Sequence, residues 1–185
     1  VAGPMARSAD DLDAALRVLA GYEAPEAKAL HWRLPKARRE RLRDFRIGFV
    51  LEDPAVPVSG ETKAVLESVI RACEAAGATL THGWPSGVRF EEMLDTYFFH
   101  LGAFDFSMMP PEVQHAVRGQ LDTRPRTFAR GALSSFAEWQ GQNLKRVAYR
   151  AMWERHFAHV DVFLLPTTFT AAPAHDHSPT DVRMI

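Results

Sequence analysis

The stretch RIGFVL, residues 46–51, is a short apolar run that leads into the turn-forming residues Glu52-Asp53-Pro54. Such a run predicts a buried β-strand followed by a turn. Residues 61–76 then show helical periodicity, and Gly77 ends them before a second short strand at residues 78–81. The order strand, helix, strand predicts a βαβ unit with parallel strands and a right-handed crossover.

The helix between these two strands is predicted to bury one apolar face. Its apolar side chains recur at intervals of three and four residues; they are Val65, Leu66, Val69, Ile70 and Cys73. Cys73 is the one cysteine of the chain, so an internal disulfide is excluded. We expect an unreactive core thiol at this position.

Two more helices flank this unit in the sequence. Ser8 and Asp11 have the spacing of a capping box, which predicts a helix over residues 8–20 that Gly21 closes in a left-handed conformation. Residues 90–106 are also helical by their period. The apolar positions that carry this period are Met93, Leu94, Tyr97, Phe98, Leu101 and Phe104.

A long helix and a third strand complete the predicted fold. Gly131 precedes a helical stretch from about residue 132 to residue 159, and Ser134-Ser135 at its start are expected to cap it. Residues 160–165 read as a buried strand that Pro166 ends. Together the elements predict an α/β fold in which helices pack on a mostly parallel sheet.

We predict one partial domain over residues 1–185. A first helix segment occupies residues 1–21 and a linker residues 22–45. The α/β scaffold with its pocket region spans residues 46–166, and a loop tail follows at 167–185.

The composition of the chain argues against several classes of protein. The 185 residues are 46% apolar with a net charge of −1, which disfavours a nucleic-acid binder or an anionic-membrane binder. The basic residues from Arg33 to Arg46 are expected to form a solvated face of the linker, with a contact to an anion or a partner as the alternative. No apolar run approaches the length of a membrane span, and we expect a cytoplasmic protein.

The chain's own side chains do not assemble a complete active site in the sequence. His175-Asp176-His177, with His156 or His159, offer imidazole and carboxylate groups of the kind that bind zinc or iron. Their spacing fixes no third ligand, so we predict no metal and no cofactor.

Three segments resemble the amidase signature family in order and type. The first is Gly3-Pro4-Met5-Ala6-Arg7-Ser8 with the helix that it opens. The second is the strand at residues 46–50 with the following helix, which ends in Ala-Ala-Gly-Ala at residues 75–78. The third is residues 160–168, an apolar strand that ends in Pro-Thr-Thr.

This resemblance implies hydrolysis of a carbon–nitrogen amide bond in a small-molecule substrate. The family uses a serine nucleophile, a second serine in a cis peptide and a lysine, all placed upstream of the Gly-Pro-Met-Ala-Arg-Ser segment. No catalytic residue is therefore assigned here, and the expected mixed, mostly parallel sheet with flanking helices would be incomplete in this chain. The alternative is a non-catalytic α/β binding or interaction domain derived from that scaffold; the oligomeric state is left open.

The residues expected to contact the substrate lie on one helix and after one strand. They are Tyr97, Phe98, His100, Thr167 and Thr168. The threonines follow the third strand, and residues at strand ends in α/β sheets often line a ligand crevice. The competing interpretation of Tyr97 and Phe98 is plain core packing, because aromatic residues at helical spacing usually fill a core.

Overall fold

The structure, a computed structural model, describes residues 3–119 and 126–172. Six α-helices lie in this part of the chain: α1 (Ala9–Leu19), α2 (Gly60–Ala75), α3 (Phe90–Ser107), α4 (Pro111–Arg118), α5 (Arg126–Ala132) and α6 (Phe136–Phe157). Three strands accompany them: β1 (Arg46–Phe49), β2 (Thr79–His82) and β3 (Val162–Leu164). Two compact units divide the chain after Arg38, and the prediction of a single partial domain stays a prediction.

The first unit contains α1 and confirms the predicted helix start. The Ser8 hydroxyl accepts a hydrogen bond from the Asp11 backbone N–H at 3.1 Å. The predicted end is wrong, because the chain leaves the helix through an extended Ala20 (φ −82°, ψ 135°) and Gly21 has no positive φ.

The second unit is built on a parallel three-stranded sheet of order β2-β1-β3. Central Ile47 pairs with Leu80 on one side and with Val162 on the other. α2 connects β1 to β2, so the predicted βαβ unit is confirmed, and Gly77 ends the helix region with φ +88°. The sheet therefore presents the carboxyl ends of β1 and β3 at the same edge.

The core under α2 is narrower than the sequence predicts. Buried Cys73 packs with Ile47 and Ala78, as expected of a core thiol. Val65 and Val69, however, are 60% and 46% exposed. The buried side follows the i, i+4, i+7 positions 66, 70 and 73, a stripe too narrow to include the two valines.

α3 buries a different face from the predicted one. Its buried residues are Thr96, Phe99, Gly102 and Phe106, whereas Tyr97 and Phe104 are exposed. The reason is its contact with α5. A Cβ on Gly102 would collide with the backbone carbonyl of Phe128, and one on Gly131 with that of Phe99. The two glycines thus let the two backbones touch.

The predicted long helix from residue 132 to residue 159 is wrong in its first part. Gly131 lies inside the short helix α5, and α6 begins only at Phe136. Ser135 starts α6 with a full capping box, since its hydroxyl accepts from the Glu138 N–H while the Glu138 carboxylate accepts from the Ser135 N–H. The expectation that this serine caps the helix is confirmed.

An ion pair joins β1 and β3 at the amino end of the sheet. The Asp161 side chain, 1% exposed, accepts hydrogen bonds from the Arg46 backbone N–H (3.0 Å), Nε (3.1 Å) and Nη2 (2.8 Å). Arg39 lies 3.6 Å from the same carboxylate. These bonds hold the pKa of Asp161 well below its usual range. Arg39 and Arg46 therefore pair with a buried carboxylate beside β3. This corrects the expectation that the whole basic run is only solvated.

Candidate functional site

A cavity of about 330 Å³ lies beyond the carboxyl ends of β1 and β3. This is the edge where ligands bind in open α/β sheets. The loop after β1, the loop after β3 and the first half of α3 supply most of its walls. The lining residues are Val50, Glu52, Asp53, Ala55, Val56, Val58, Trp84, Phe90, Leu94, Phe98, Leu165, Pro166, Thr167, Thr168 and Phe169.

Backbone hydrogen bonds fix the loop after β3 against its neighbours. The Val50 N–H donates to the Leu164 carbonyl at 3.0 Å, and the Ser59 N–H donates to the Phe169 carbonyl at 2.7 Å. The Thr168 hydroxyl donates to the Thr170 carbonyl at 2.5 Å. Ser59 is also the N-cap of α2, so the loop is attached to the start of the crossover helix.

Trp84 forms the aromatic wall of the cavity. Its indole N–H donates to Asp53 Oδ2 at 2.9 Å. Its ring stacks on Phe90 with centroids 4.7 Å apart and an interplanar angle of 5°. On the sheet side it stacks on Phe163 at 5.7 Å.

The acidic rim of the cavity is partly neutralised. Glu52 forms an ion pair with Lys63 at 2.6 Å, and this contact raises the pKa of the lysine. Asp53 accepts from Trp84 and, through Oδ1, from the Ala55 N–H at 3.0 Å. The arrangement is a mostly apolar recess with carboxylate and threonine oxygens at its edge, which suits an apolar group that carries a polar end.

The structure brings three of the five predicted site residues together. Phe98, Thr167 and Thr168 all line this cavity. Tyr97 is 57% exposed and touches the cavity only through its ring contact with Phe98, at 5.4 Å between centroids. His100 lies one turn further along α3 and faces elsewhere. A role in substrate binding stays a prediction for all five.

His100 lines a second, more open cavity of about 890 Å³ among the helices. Its ring meets Trp139 edge-on at 5.6 Å. Its buried Nε2 has no hydrogen-bond partner among the described residues. Ser134 and Ser135 also line this space, and their hydroxyls donate to the Gly131 carbonyl and the Glu138 carboxylate, both at 2.8 Å. These two serines stabilise helix ends.

Sequence reasoning missed Trp84 and Asp53. The signal for Asp53 was available, since it lies in the turn after β1 and the rule that selects Thr167 and Thr168 applies equally there. Trp84 follows β2, at the same edge, for the same reason.

The part of the chain that the structure describes contains neither a metal-binding cluster nor a helix that could span a membrane. Within residues 3–119 and 126–172 no group of three or more His, Cys, Asp or Glu side chains is placed to hold a metal ion. His175, Asp176 and His177 lie outside the described residues. In the same part of the chain, no helix has both the length and the apolar character needed to cross a bilayer.

A parallel sheet flanked by helices, with an apolar cavity at its carboxyl edge, defines an α/β fold. The chain belongs to the amidase family, whose model matches residues 1–184. The resemblance drawn from the sequence is thereby confirmed.

Three individual proteins are similar to this chain. The A subunit of glutamyl-tRNA(Gln) amidotransferase from Thermosynechococcus vestitus is 26% identical over 197 aligned residues, covering 92% of this chain. A fatty acid amide hydrolase structure matches with a TM-score of 0.67 over 92% of the chain, at 20% identity. A bacterial aryl acylamidase of the amidase signature family matches with a TM-score of 0.62 over 89%, also at 20% identity. At that identity, the two structural matches concern the fold.

The chain is shorter than each of these proteins. It spans 40% of the amidotransferase subunit, 31% of the fatty acid amide hydrolase and 36% of the aryl acylamidase.

Proposed function

We propose that this chain forms the substrate-pocket part of an amidase that hydrolyses a carbon–nitrogen amide bond in a small molecule. The observation that carries the proposal is the cavity at the carboxyl edge of the sheet, where Phe98, Thr167 and Thr168 meet. Membership of the amidase family supports the reaction class. The apolar walls support a substrate with an apolar acyl or aryl group.

The proposed chemistry is performed by a serine, a cis-serine and a lysine that precede Val1 in the same polypeptide. A neutral lysine takes the proton of the bridging serine, which takes that of the nucleophile. The nucleophile adds to the amide carbonyl, and backbone N–H groups stabilise the oxyanion. The amine then leaves with a proton, and water releases the acid from the acyl-serine.

The residues of this chain contribute binding and orientation in this scheme. Apolar contacts with Phe98 and its neighbours remove the apolar group of the substrate from water. The Thr167 and Thr168 hydroxyls offer acceptor and donor positions to the polar end of the substrate. Binding energy of this kind fixes the amide where the nucleophile can reach it.

The test compares two purified proteins, the 185-residue chain and the complete product of the reading frame that contains it. Release of p-nitroaniline from acyl-p-nitroanilides measures amide hydrolysis. We expect turnover by the complete product and none by the 185 residues. No turnover by the complete product, together with retained ligand binding, would favour the alternative of a non-catalytic binding domain.

A variant pair then tests the pocket. Phe98→Ala in the complete product should lower kcat/KM at least tenfold, because truncating this half-buried ring removes apolar contacts with the substrate worth about 1.5 kcal/mol or more. Phe104→Ala removes an aromatic ring from the same helix at a 61% exposed position and serves as the matched control. Equal effects of the two variants would contradict the pocket assignment.

A further inference from the structure

We propose that Trp84, held in place by Asp53, determines how long an apolar group the cavity accepts. This inference rests on the proposed function, because it concerns the substrate range of the same site. Two observations support it: the Trp84 side chain is held in one position, and the cavity that it lines is small.

The backbone around Trp84 is held on both sides. Gly83 precedes it with φ +114° and donates its N–H to the Phe49 carbonyl at 3.0 Å, where β1 ends. Pro85 follows it and is fully buried. The Gly83 hydrogen bond ties the segment to β1, and a proline restricts the backbone of the residue before it, so Trp84 has little freedom to move its indole.

The indole itself is held by one hydrogen bond and by ring contacts. Its N–H donates to Asp53 Oδ2 at 2.9 Å, while its face stacks on Phe90 and on Phe163. Trp153 meets it edge-on at 6.4 Å between centroids. The hydrogen bond selects one orientation of the ring among those that stacking would allow.

Asp53 is suited to this positioning role by its own turn. Its second oxygen accepts from the Ala55 N–H at 3.0 Å, and its carbonyl accepts from the Val56 N–H at 2.8 Å. These bonds within the turn hold the Asp53 carboxylate in place independently of its contact with the indole. Asp53 acts through Trp84 and is a positioning residue.

The size of the cavity gives the substrate class. About 330 Å³ lies at the small end of the range for ligand pockets, which is about 300 to 1,000 Å³. With the indole in this position, the structure assigns to the site amides whose apolar group is a short acyl chain or a single ring. A smaller side chain at position 84 extends the recess toward Phe163.

The experiment measures kcat/KM of the complete reading-frame product on straight-chain acyl-p-nitroanilides from acetyl to decanoyl. Trp84→Ala should move the preferred chain to a longer one and raise the decanoyl-to-butyryl ratio at least about tenfold, the usual scale for methylene discrimination. Trp84→Phe keeps a ring against Phe90 without the N–H, and should shift the profile in the same direction by less. It also covers the case in which the alanine variant fails to fold.

Two substitutions of Asp53 isolate the hydrogen bond. Asp53→Leu removes the acceptor and should broaden the chain-length profile, whereas Asp53→Asn keeps an acceptor oxygen and should restore the original profile. Glu74→Leu removes an exposed carboxylate near the end of α2 and controls for the loss of one charge.

Each outcome decides between the two proposals. No hydrolysis of any amide by the unsubstituted complete product overturns the proposed function and this inference with it. If the complete product hydrolyses amides and both Trp84 variants keep its dependence of kcat/KM on acyl chain length, the inference alone is overturned. If Asp53→Asn behaves like Asp53→Leu, the positioning role of the hydrogen bond is overturned.

Discussion

The two cavities of this chain are built by different means. The cavity at the sheet edge is lined by loops that backbone hydrogen bonds attach to β1, β3 and α2, and its indole is paired with Asp53. The cavity among the helices is larger and includes His100, whose Nε2 lacks a partner among the described residues. The sheet-edge cavity joins segments between residues 50 and 169 and is held by hydrogen bonds between backbones, whereas the helical cavity draws on residues 100–146 and depends on the packing of helices.

The largest effect is expected from Gly131→Ala, which disturbs the packing of α3 on α5 and leaves the sheet unchanged. The new methyl group would collide with the Phe99 carbonyl, so α3 and α5 must separate. We expect a loss of about 3 kcal/mol in the free energy of unfolding, at the upper end of overpacking effects. Urea denaturation followed by circular dichroism measures it.

Gly141→Ala is the matched control for this change. Gly141 lies in α6 with no atom near the position of an added Cβ. Alanine there should stabilise the helix by up to about 1 kcal/mol. A destabilisation equal to that of Gly131→Ala would show that close packing is not the cause.

The second test acts on the sheet, through Asp161→Asn. Hydrogen bonds from Arg46 lower the pKa of the folded Asp161 carboxyl below the ordinary value of about 3.9. Such a group contributes stability above the unfolded pKa and loses it as pH falls toward the folded one. The asparagine variant should therefore unfold at a lower temperature at pH 7 and show a flatter pH dependence below about pH 4.

Thermal unfolding at several pH values measures this effect. Asp13→Asn removes an exposed carboxylate that pairs with Arg17 within one helix, and surface pairs of this kind contribute less than about 1 kcal/mol. Identical pH profiles for Asp161→Asn and the unsubstituted protein would contradict the role given to the ion pair.

A smaller effect on the helical side is expected from Ser135→Ala. The change removes the capping box of α6 and should cost about 1 kcal/mol. Ser68→Ala, in the interior of α2, removes a hydroxyl that bonds the Val65 carbonyl and should be neutral or slightly stabilising. A chemical denaturation curve for each variant gives the comparison.

The smallest expected effect is on the pH dependence of stability, and it comes from His156, which packs against the sheet residue Phe163. Burial, and then the nearby His159, lower the pKa of this imidazole below its usual value. The unfolded chain then takes up a proton near pH 6.5 that the folded chain does not, so stability falls as pH drops below that value. His156→Phe should weaken this dependence, because a phenyl ring can occupy the same place against Phe163 and Trp153 without titrating.

Melting temperatures at pH 8 and pH 5 test the histidine. His115→Gln, at an exposed position of α4, should leave the difference between the two temperatures as it is. If His156→Phe shows the same difference in melting temperature between pH 8 and pH 5 as the unsubstituted protein, His156 is not the cause of the pH dependence.

The sequence predicts the sheet side of the molecule well, for local reasons. β1, α2 and β2 follow from apolar runs and turn residues that are contiguous in the chain. The rule that strand ends face a crevice selected Thr167 and Thr168, and these lie in the cavity with Phe98. The same rule also applies to Asp53, in the turn after β1, which lines the cavity as well.

The helical side is predicted less well, because periodicity does not say which face of an apolar helix is buried. α3 is apolar around much of its circumference, and the contact of Gly102 and Gly131 with opposing carbonyls selects Phe99 for burial and leaves Tyr97 exposed. Glycine disfavours the helix interior, so the sequence predicts a helix that begins after Gly131 and not one that contains it.

The pair of glycines between α3 and α5 has a consequence for laboratory evolution. In a library selected for hydrolysis of new amides, we expect positions around the sheet-edge cavity to diversify with the substrate. Gly102 and Gly131 should persist under every selection, because any side chain there meets backbone atoms that cannot move aside on their own. The two positions therefore separate the part of this chain that can be redesigned from the part that sets its shape.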